Sequence, residues 1–326
     1  MGFFKGNRNL GFIYGQTLVL LPRVKRKALV YKIIPEIGWI EYFEYRTFAP
    51  PHTLQSIIRF RMDILSRNNV RVFGKGTQAM VFAHGFGCDQ NMWRYVTAAF
   101  QQDYKIVLFD HVGAGLSDIA AYSKEKYSNL SGYASDLLEI CQHLELENCI
   151  FVGHSVGAMI GVLAAIQAPE QFEKLILIGP SPSYINDGDY IGGFEPADIH
   201  AMLEFMETDY MGWSGAFGPF IMGNPDQPSL GQELTNSFCN TNSTIAKHFA
   251  RVVFLSDNRL DLPKLKTRSL IMQCDQDMIA PTEVGEYVHK VLKDSTLVHL
   301  KATGHCPNVS APLETISVME KYLAAV

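Results

Sequence analysis

The sequence predicts an α/β protein: a mostly parallel sheet flanked by helices, with a four-helix cap inserted late in the chain. Three observations carry this. Short, nearly continuous apolar runs alternate with amphipathic helical patterns from residue 70 onward. One connection between two of these runs is nearly ninety residues long and is itself helical in pattern. A glycine–serine–glycine bend closes one apolar run and opens a helix.

In chain order, residues 1–61 come first and stand apart. They hold 10 Lys/Arg against 3 Asp/Glu, a charge of +7, whereas the remainder holds 18 against 30, or −12. They are rich in aromatics and lack the strand–helix rhythm that follows. The expectation is an N-terminal extension that is non-native or poorly ordered, with Met62 as the natural start. An extra helix or strand packed on the body is the alternative. The intact mass of the native protein decides: a full-length mass defeats Met62 as the start. The stretch from Leu10 to Leu21 is interrupted by Gln16 and followed by "PRVKRK" without a small-residue cleavage site, so it makes a poor signal peptide.

From Val70 the strands are expected at 70–73, 79–85, 105–111, 149–153, 174–179, 269–274 and 296–300. The first of these alternates, and the nearly continuous apolar character of the other six fits parallel strands covered on both faces. Tyr133, Leu137, Ile140, Cys141 and Leu144 fall on one face of an intervening helix; further helices are expected over 156–168, 283–292 and 312–324. Strand, helix, strand repeated in this way builds a parallel sheet with right-handed crossovers. The long connection holds helical patterns around 196–207, 209–222, 230–239 and 243–255. A bare loop of that length does not fit a compact domain. It reads as a cap, at about 183–262, over the sheet's C-terminal edge, where open α/β sheets bind ligands.

"FVGHSVGAMIG" (151–161) carries the chemistry. A strand turning sharply into a helix strains its turn residue and needs tiny neighbours, supplied by Gly153 and Gly157. Ser155 is thereby held at a helix N-terminus, where free N–H groups and the helix dipole favour developing negative charge. A serine alcohol is a weak nucleophile that needs a base, and the base needs an orienting acid. The expected chain order is serine, acid, histidine. His305, on a glycine turn after the last strand, is the expected base. His84 and His154 beside glycines read as structural, and His143, His248 and His289 fall in helical patterns. "PSPS" after Gly179 offers no carboxylate, whereas "CDQDMIAP" offers Asp275 and Asp277. The backbone N–H groups of Phe86, in "HGFG", and of Val156 are the expected oxyanion donors.

Composition narrows the partners. The acidic main body argues against nucleic acid. No apolar run is long enough to cross a bilayer. The six cysteines are scattered without a C-x-x-C pair, as buried thiols in a reducing cytoplasm would be. No metal spacing appears among the histidines, and no cofactor is expected. "LFDHVGAGLSD" has two of the three glycines of a nucleotide loop, but Asp118 stands at the third position, so a tight turn at the pocket rim is favoured. The cap is aromatic and carries few charges. Trp213, Phe217 and Phe194 are the expected pocket residues, and a small, mostly apolar ester- or lactone-like carbonyl compound is the expected ligand.

"GHSVG", "HGFG", "LFDHVGAGLSD" and "GHCP", in this arrangement, resemble the α/β-hydrolase superfamily. Its fold implies the sheet and cap inferred above. Its acid commonly stands three residues after the small residue ending its strand, shortly before a proline; Cys274, Asp277 and Pro281 match, which selects Asp277 over Asp275. From Met62 to Val326 the chain further resembles the RsbQ-like stress-response regulators and the plant strigolactone and karrikin receptors. "GFGCDQNMW", "GPSPSYIND", "GGFEP", "DYMGW", "FCNTN" and "CDQDMIAP" carry that likeness. His84 departs from the residue often found there, and residues 1–61 have no counterpart. The resemblance implies a serine hydrolase that is a positive regulator of a sigma-B-type stress response, with a PAS-domain serine/threonine phosphatase as partner. A plain metabolic carboxylesterase without a signalling partner is the alternative.

Overall fold

The computed structural model describes residues 64–325 throughout and, before them, the backbone of three strands. The chain divides into two compact units, Met1–Met62 and Asp63–Val326.

In the first unit, β1 (Leu18–Leu20), β2 (Lys27–Ile34) and β3 (Trp39–Arg46) form an antiparallel sheet in that order. Lys27 pairs with Arg46 and Ile34 with Trp39. The runs "KALVYKII" and "WIEYFEYR" are rich in β-branched and aromatic residues, and Pro35 and Gly38 stand between them in sequence. That is a strand–turn–strand composition, which carries no strand–helix rhythm in the sequence. Residues 1–17 and Met62, the expected start, lie outside the described residues.

The second unit is built on seven strands: β4 (Arg71–Phe73), β5 (Ala79–Ala83), β6 (Lys105–Leu108), β7 (Cys149–His154), β8 (Phe172–Ile178), β9 (Arg268–Gln276) and β10 (Ser295–Thr303). Their order is β10-β9-β8-β7-β5-β6-β4, parallel except where β4 meets β6. β5 and β7 are buried along their whole length, as their unbroken apolar sequences require. Every expected strand is present, with ends shifted by a residue or more.

Around the sheet lie α1 (Ile64–Arg67), α2 (Arg94–Phe100), α3 (Leu130–His143) and α4 (Val156–Gln167). The cap follows as α5 (Pro196–Thr208), α6 (Tyr210–Met222), α7 (Pro228–Asn240) and α8 (Ser243–Phe254), and the chain ends with α9 (Thr282–Val291), α10 (Pro307–Ser310) and α11 (Pro312–Ala324). On α3, Tyr133, Leu137, Ile140 and Cys141 form the buried stripe, and Asn129 caps the helix by accepting the Ser131 N–H at 2.9 Å. The four cap helices lie where the pattern placed them. A Cβ on Gly231 would sit 2.9 Å from Pro219 Cα, so the absence of a side chain there lets α7 press against α6. Helices α1, α2 and α10 were not expected; each spans seven residues or fewer, too short for a helical period to declare itself.

The topology explains the placing of the site. The chain runs from β5 outward to β6, then returns to β7 on the other side of β5. Ala83 at the end of β5 therefore lies beside Gly153 near the end of β7, and the loops that follow both strands rise together. Such a reversal of strand order opens a crevice at the strands' C-terminal ends.

Candidate active site

Between β7 and α4, Ser155 has φ 56° and ψ −124°, a left-handed backbone that a side-chain-bearing residue adopts only under constraint. Packing imposes it. A Cβ on Gly157 would lie 2.6 Å from His84 O, and one on Gly153 would lie 2.6 Å from Ala158 Cα, so neither position accommodates a side chain without movement. The Ser155 N–H donates to Ile178 O at 2.8 Å, tying the bend to the neighbouring strand.

His305 arrives on the turn after β10. Its own N–H donates to Ile221 O of α6 at 2.9 Å, and Asn224 Nδ2 donates to Thr303 O at 3.0 Å. The cap thus grips the loop that carries the imidazole. The ring spans two partners: Nε2 lies 2.7 Å from Ser155 Oγ and Nδ1 lies 2.7 Å from Asp277 Oδ2. Asp277 Oδ1 accepts the N–H groups of Ile279 at 2.8 Å and Ala280 at 3.0 Å. All three side chains are nearly dry, with 4%, 3% and 6% exposure for Ser155, His305 and Asp277. Burial pushes the Asp277 carboxyl upward, but the charge and hydrogen bond of His305 and the two backbone donors outweigh it and hold the group below its ordinary value. Asp275, the rejected alternative, is exposed and lies 3.5 Å from His299 instead.

Three further histidines surround this group. His154 Nε2 donates to His305 O at 2.7 Å, and its ring centroid stands 4.9 Å from that of His305. Burial, reinforced by repulsion from His305, lowers His154 to about 3. It is a neutral brace, as its place beside a glycine suggested. His84 Nε2 accepts the His111 N–H at 3.0 Å, and His111 Nε2 donates to His84 O at 3.0 Å. This reciprocal pair stiffens the base of the "HGFG" turn. His111 was not singled out in the sequence, although it sits in "LFDHVGAGLSD". Gly115 of that motif packs closely against Asp110, which accepts the N–H groups of Gln90 at 2.8 Å and Leu116 at 2.9 Å. The loop folds on its own carboxylate, a rim turn as expected.

The Phe86 N–H and the Val156 N–H, which opens α4, donate to no acceptor among the described residues. The Phe86 ring is held among cap aromatics, with Phe249 at 5.6 Å and Phe238 and Phe254 at 5.8 Å between centroids.

The expected pocket residues are placed differently. Trp213 is fully buried, stacks on Phe217 at 5.0 Å and reaches the Phe86 ring edge-on at 6.2 Å, one layer outside the chamber. Phe194 pairs by its backbone with Tyr184 and Asn186. Neither these nor Phe217 line the space beside Ser155. Helical spacing puts Trp213 and Phe217 on one face but does not reveal that the face meets Phe238 of α7. The walls are instead Phe86, Tyr184, Ile221, Val253, Phe254 and Ile279, around a chamber of about 20 Å³. That volume holds about one water molecule. Tyr184 stands within reach of Ser155, and burial raises its phenol to about 12. Its only signal in the sequence is its place in the segment that follows β8. Cys88 also lines the chamber, but burial lifts its thiol to about 12, which keeps it protonated and a poor nucleophile.

The chain matches the alpha/beta hydrolase fold family over residues 78–312. It is 38% identical over 257 residues to the karrikin insensitive 2 receptor CA of Petunia hybrida, covering 78% of this chain and 95% of the relative. It is 41% identical over 251 residues to strigolactone esterase RMS3 of Pisum sativum, covering 76% and 94%. Among solved structures, a hydrolase from Oleispira antarctica matches with a TM-score of 0.80 and 36% identity, covering 82% of this chain and 98% of that one.

Proposed function

The chain belongs to the alpha/beta hydrolase family, and on that basis we propose that it is a serine hydrolase cleaving a small ester or lactone through Ser155, His305 and Asp277. The observation that carries the reading is the imidazole of His305, 2.7 Å from both the Ser155 hydroxyl and the Asp277 carboxylate.

Ser155 Oγ attacks the carbonyl carbon as His305 Nε2 takes its proton, and Asp277 orients the ring and balances the imidazolium. The Phe86 and Val156 N–H groups receive the oxyanion; one such donor is worth about 3 kcal/mol of transition-state stabilisation. His305 then passes its proton to the departing alcohol oxygen, the C–O bond breaks, and acyl-Ser155 remains. Water, deprotonated by His305, attacks the acyl carbon; the bond to Ser155 Oγ breaks, Oγ takes the proton back from His305, and the acid is released. The chamber's apolar walls suit an apolar group beside the reacting carbonyl. A fluorophosphonate followed by peptide mass mapping tests this: the adduct is expected on Ser155, and an adduct on another residue, or none, contradicts it.

The same site serves, in our reading, an RsbQ-like role as positive regulator of a sigma-B-type stress response. Motifs shared with that family and the receptor names of homologous plant proteins support it. Retention of a PAS-domain serine/threonine phosphatase in a pull-down with the full chain is the expected result. No retention, alongside fast turnover of simple esters, favours a metabolic carboxylesterase.

A further inference from the structure

The chamber over Ser155, with room for about 20 Å³, is too small for a substrate. Beside it opens a cleft of about 480 Å³, within the range of small-molecule sites. Cys88, Leu234 and Cys306 line both spaces, so the two adjoin at these side chains. All three are buried, whereas Glu233, Asn236 and Asn240 of the cleft's outer wall are exposed. The cleft therefore leads from solvent toward the serine. Its depth is apolar and its rim polar.

Resting on the hydrolase reading above, we propose that this cleft binds the alcohol half of the substrate and that this half is a neutral polyol. Three features argue for it. His305 must return its proton to the alcohol oxygen, so that half lies on the His305 side, where Cys306 and Val309 form the cleft wall. Among the described residues no lysine or arginine lines the cleft, while Asp89 and Glu233 do, which disfavours carboxylates and phosphates. The Asn240 side chain makes no hydrogen bond to protein among the described residues, leaving an amide whose donors and acceptor all suit hydroxyl groups. The wall is also fixed to the catalytic turn. Ser237 Oγ donates to Gly87 O at 2.6 Å, and Arg94 of the core pairs with Glu233 of α7 at 2.8 Å.

The test uses the full chain and two butyrate esters with the same acyl half, glycerol monobutyrate and ethyl butyrate. The glycerol ester should be preferred roughly tenfold in kcat/KM, through KM, the worth of one or two hydrogen bonds. Asn240→Leu should erase most of that preference, and Asn236→Leu serves if the first variant does not fold. In parallel, the uncleavable ether 1-O-butylglycerol should bind in calorimetry and bind more weakly to the variant. Turnover of both esters without preference, or a preference untouched by both variants, overturns the cleft assignment and leaves the hydrolase reading intact. Ether binding that depends on Asn240, without turnover of either ester, supports the cleft and contradicts the hydrolase reading. No ether binding and no turnover overturns both.

Discussion

At Asp277, burial and charge pull in opposite directions, and charge wins. The carboxylate's contribution to stability is therefore present above its unfolded value near 4 and is lost as pH falls through the lower folded value. Its catalytic contribution is separable. Asp277→Asn keeps the shape but offers an amide to His305 Nδ1, so the ring takes the wrong tautomer. Steady-state kinetics on an aryl ester should show kcat reduced by about 10³–10⁴ with KM little changed; a loss below about tenfold contradicts the role. Single residues were unequally legible. Ser155 and His305 declared themselves through glycine turns at strand ends. Asp277 could be separated from Asp275 only by family spacing, because in sequence the two stand two residues apart at the end of one apolar run. Tyr184 was missed, since its proximity to Ser155 arises from the fold of the segment after β8 and leaves no local pattern.

The strand–bend–helix around Ser155 is the element that makes the site possible, and its tightness is measurable. Gly157→Ala places a methyl 2.6 Å from His84 O and 2.7 Å from Ala83 O, both backbone atoms that cannot swing aside. Denaturant titration should show a loss of about 1–3 kcal/mol, and activity should fall as Ser155 and the "HGFG" turn are pushed apart. An unchanged midpoint contradicts the packing account. The inner strands of the seven-stranded sheet were legible because burial on both faces demands nearly continuous apolar sequence, visible without knowing the partners; the edge strands β4 and β10 are largely exposed or half-buried and gave a weaker pattern. The cap's helices were legible for their period, but its pocket face was not. Trp213 and Phe217 share a side of α6, and only the crossing of α6 with α7 decides that this side packs on Phe238.

Across the whole molecule, three buried histidines make stability depend on pH. His84, His111 and His154 are all lowered by burial, His154 to about 3. Below about 6.5 the unfolded chain binds protons that the native state refuses, so stability falls as pH drops from 7 toward 4. Unfolding midpoints across that range should decline, and His154→Gln should lessen the slope by up to one proton's worth; a flat profile contradicts neutral burial. The first unit marks the limit of reading by rhythm: its antiparallel strands have strand composition, yet among the described residues no helix alternates with them. The central claim, that one serine is activated where three distant segments meet, has a direct test. Full-length Ser155→Ala, checked for native circular dichroism, is assayed on p-nitrophenyl butyrate. The account predicts that kcat falls by at least about 10³ with the fold intact; turnover equal to that of the unmodified protein contradicts it.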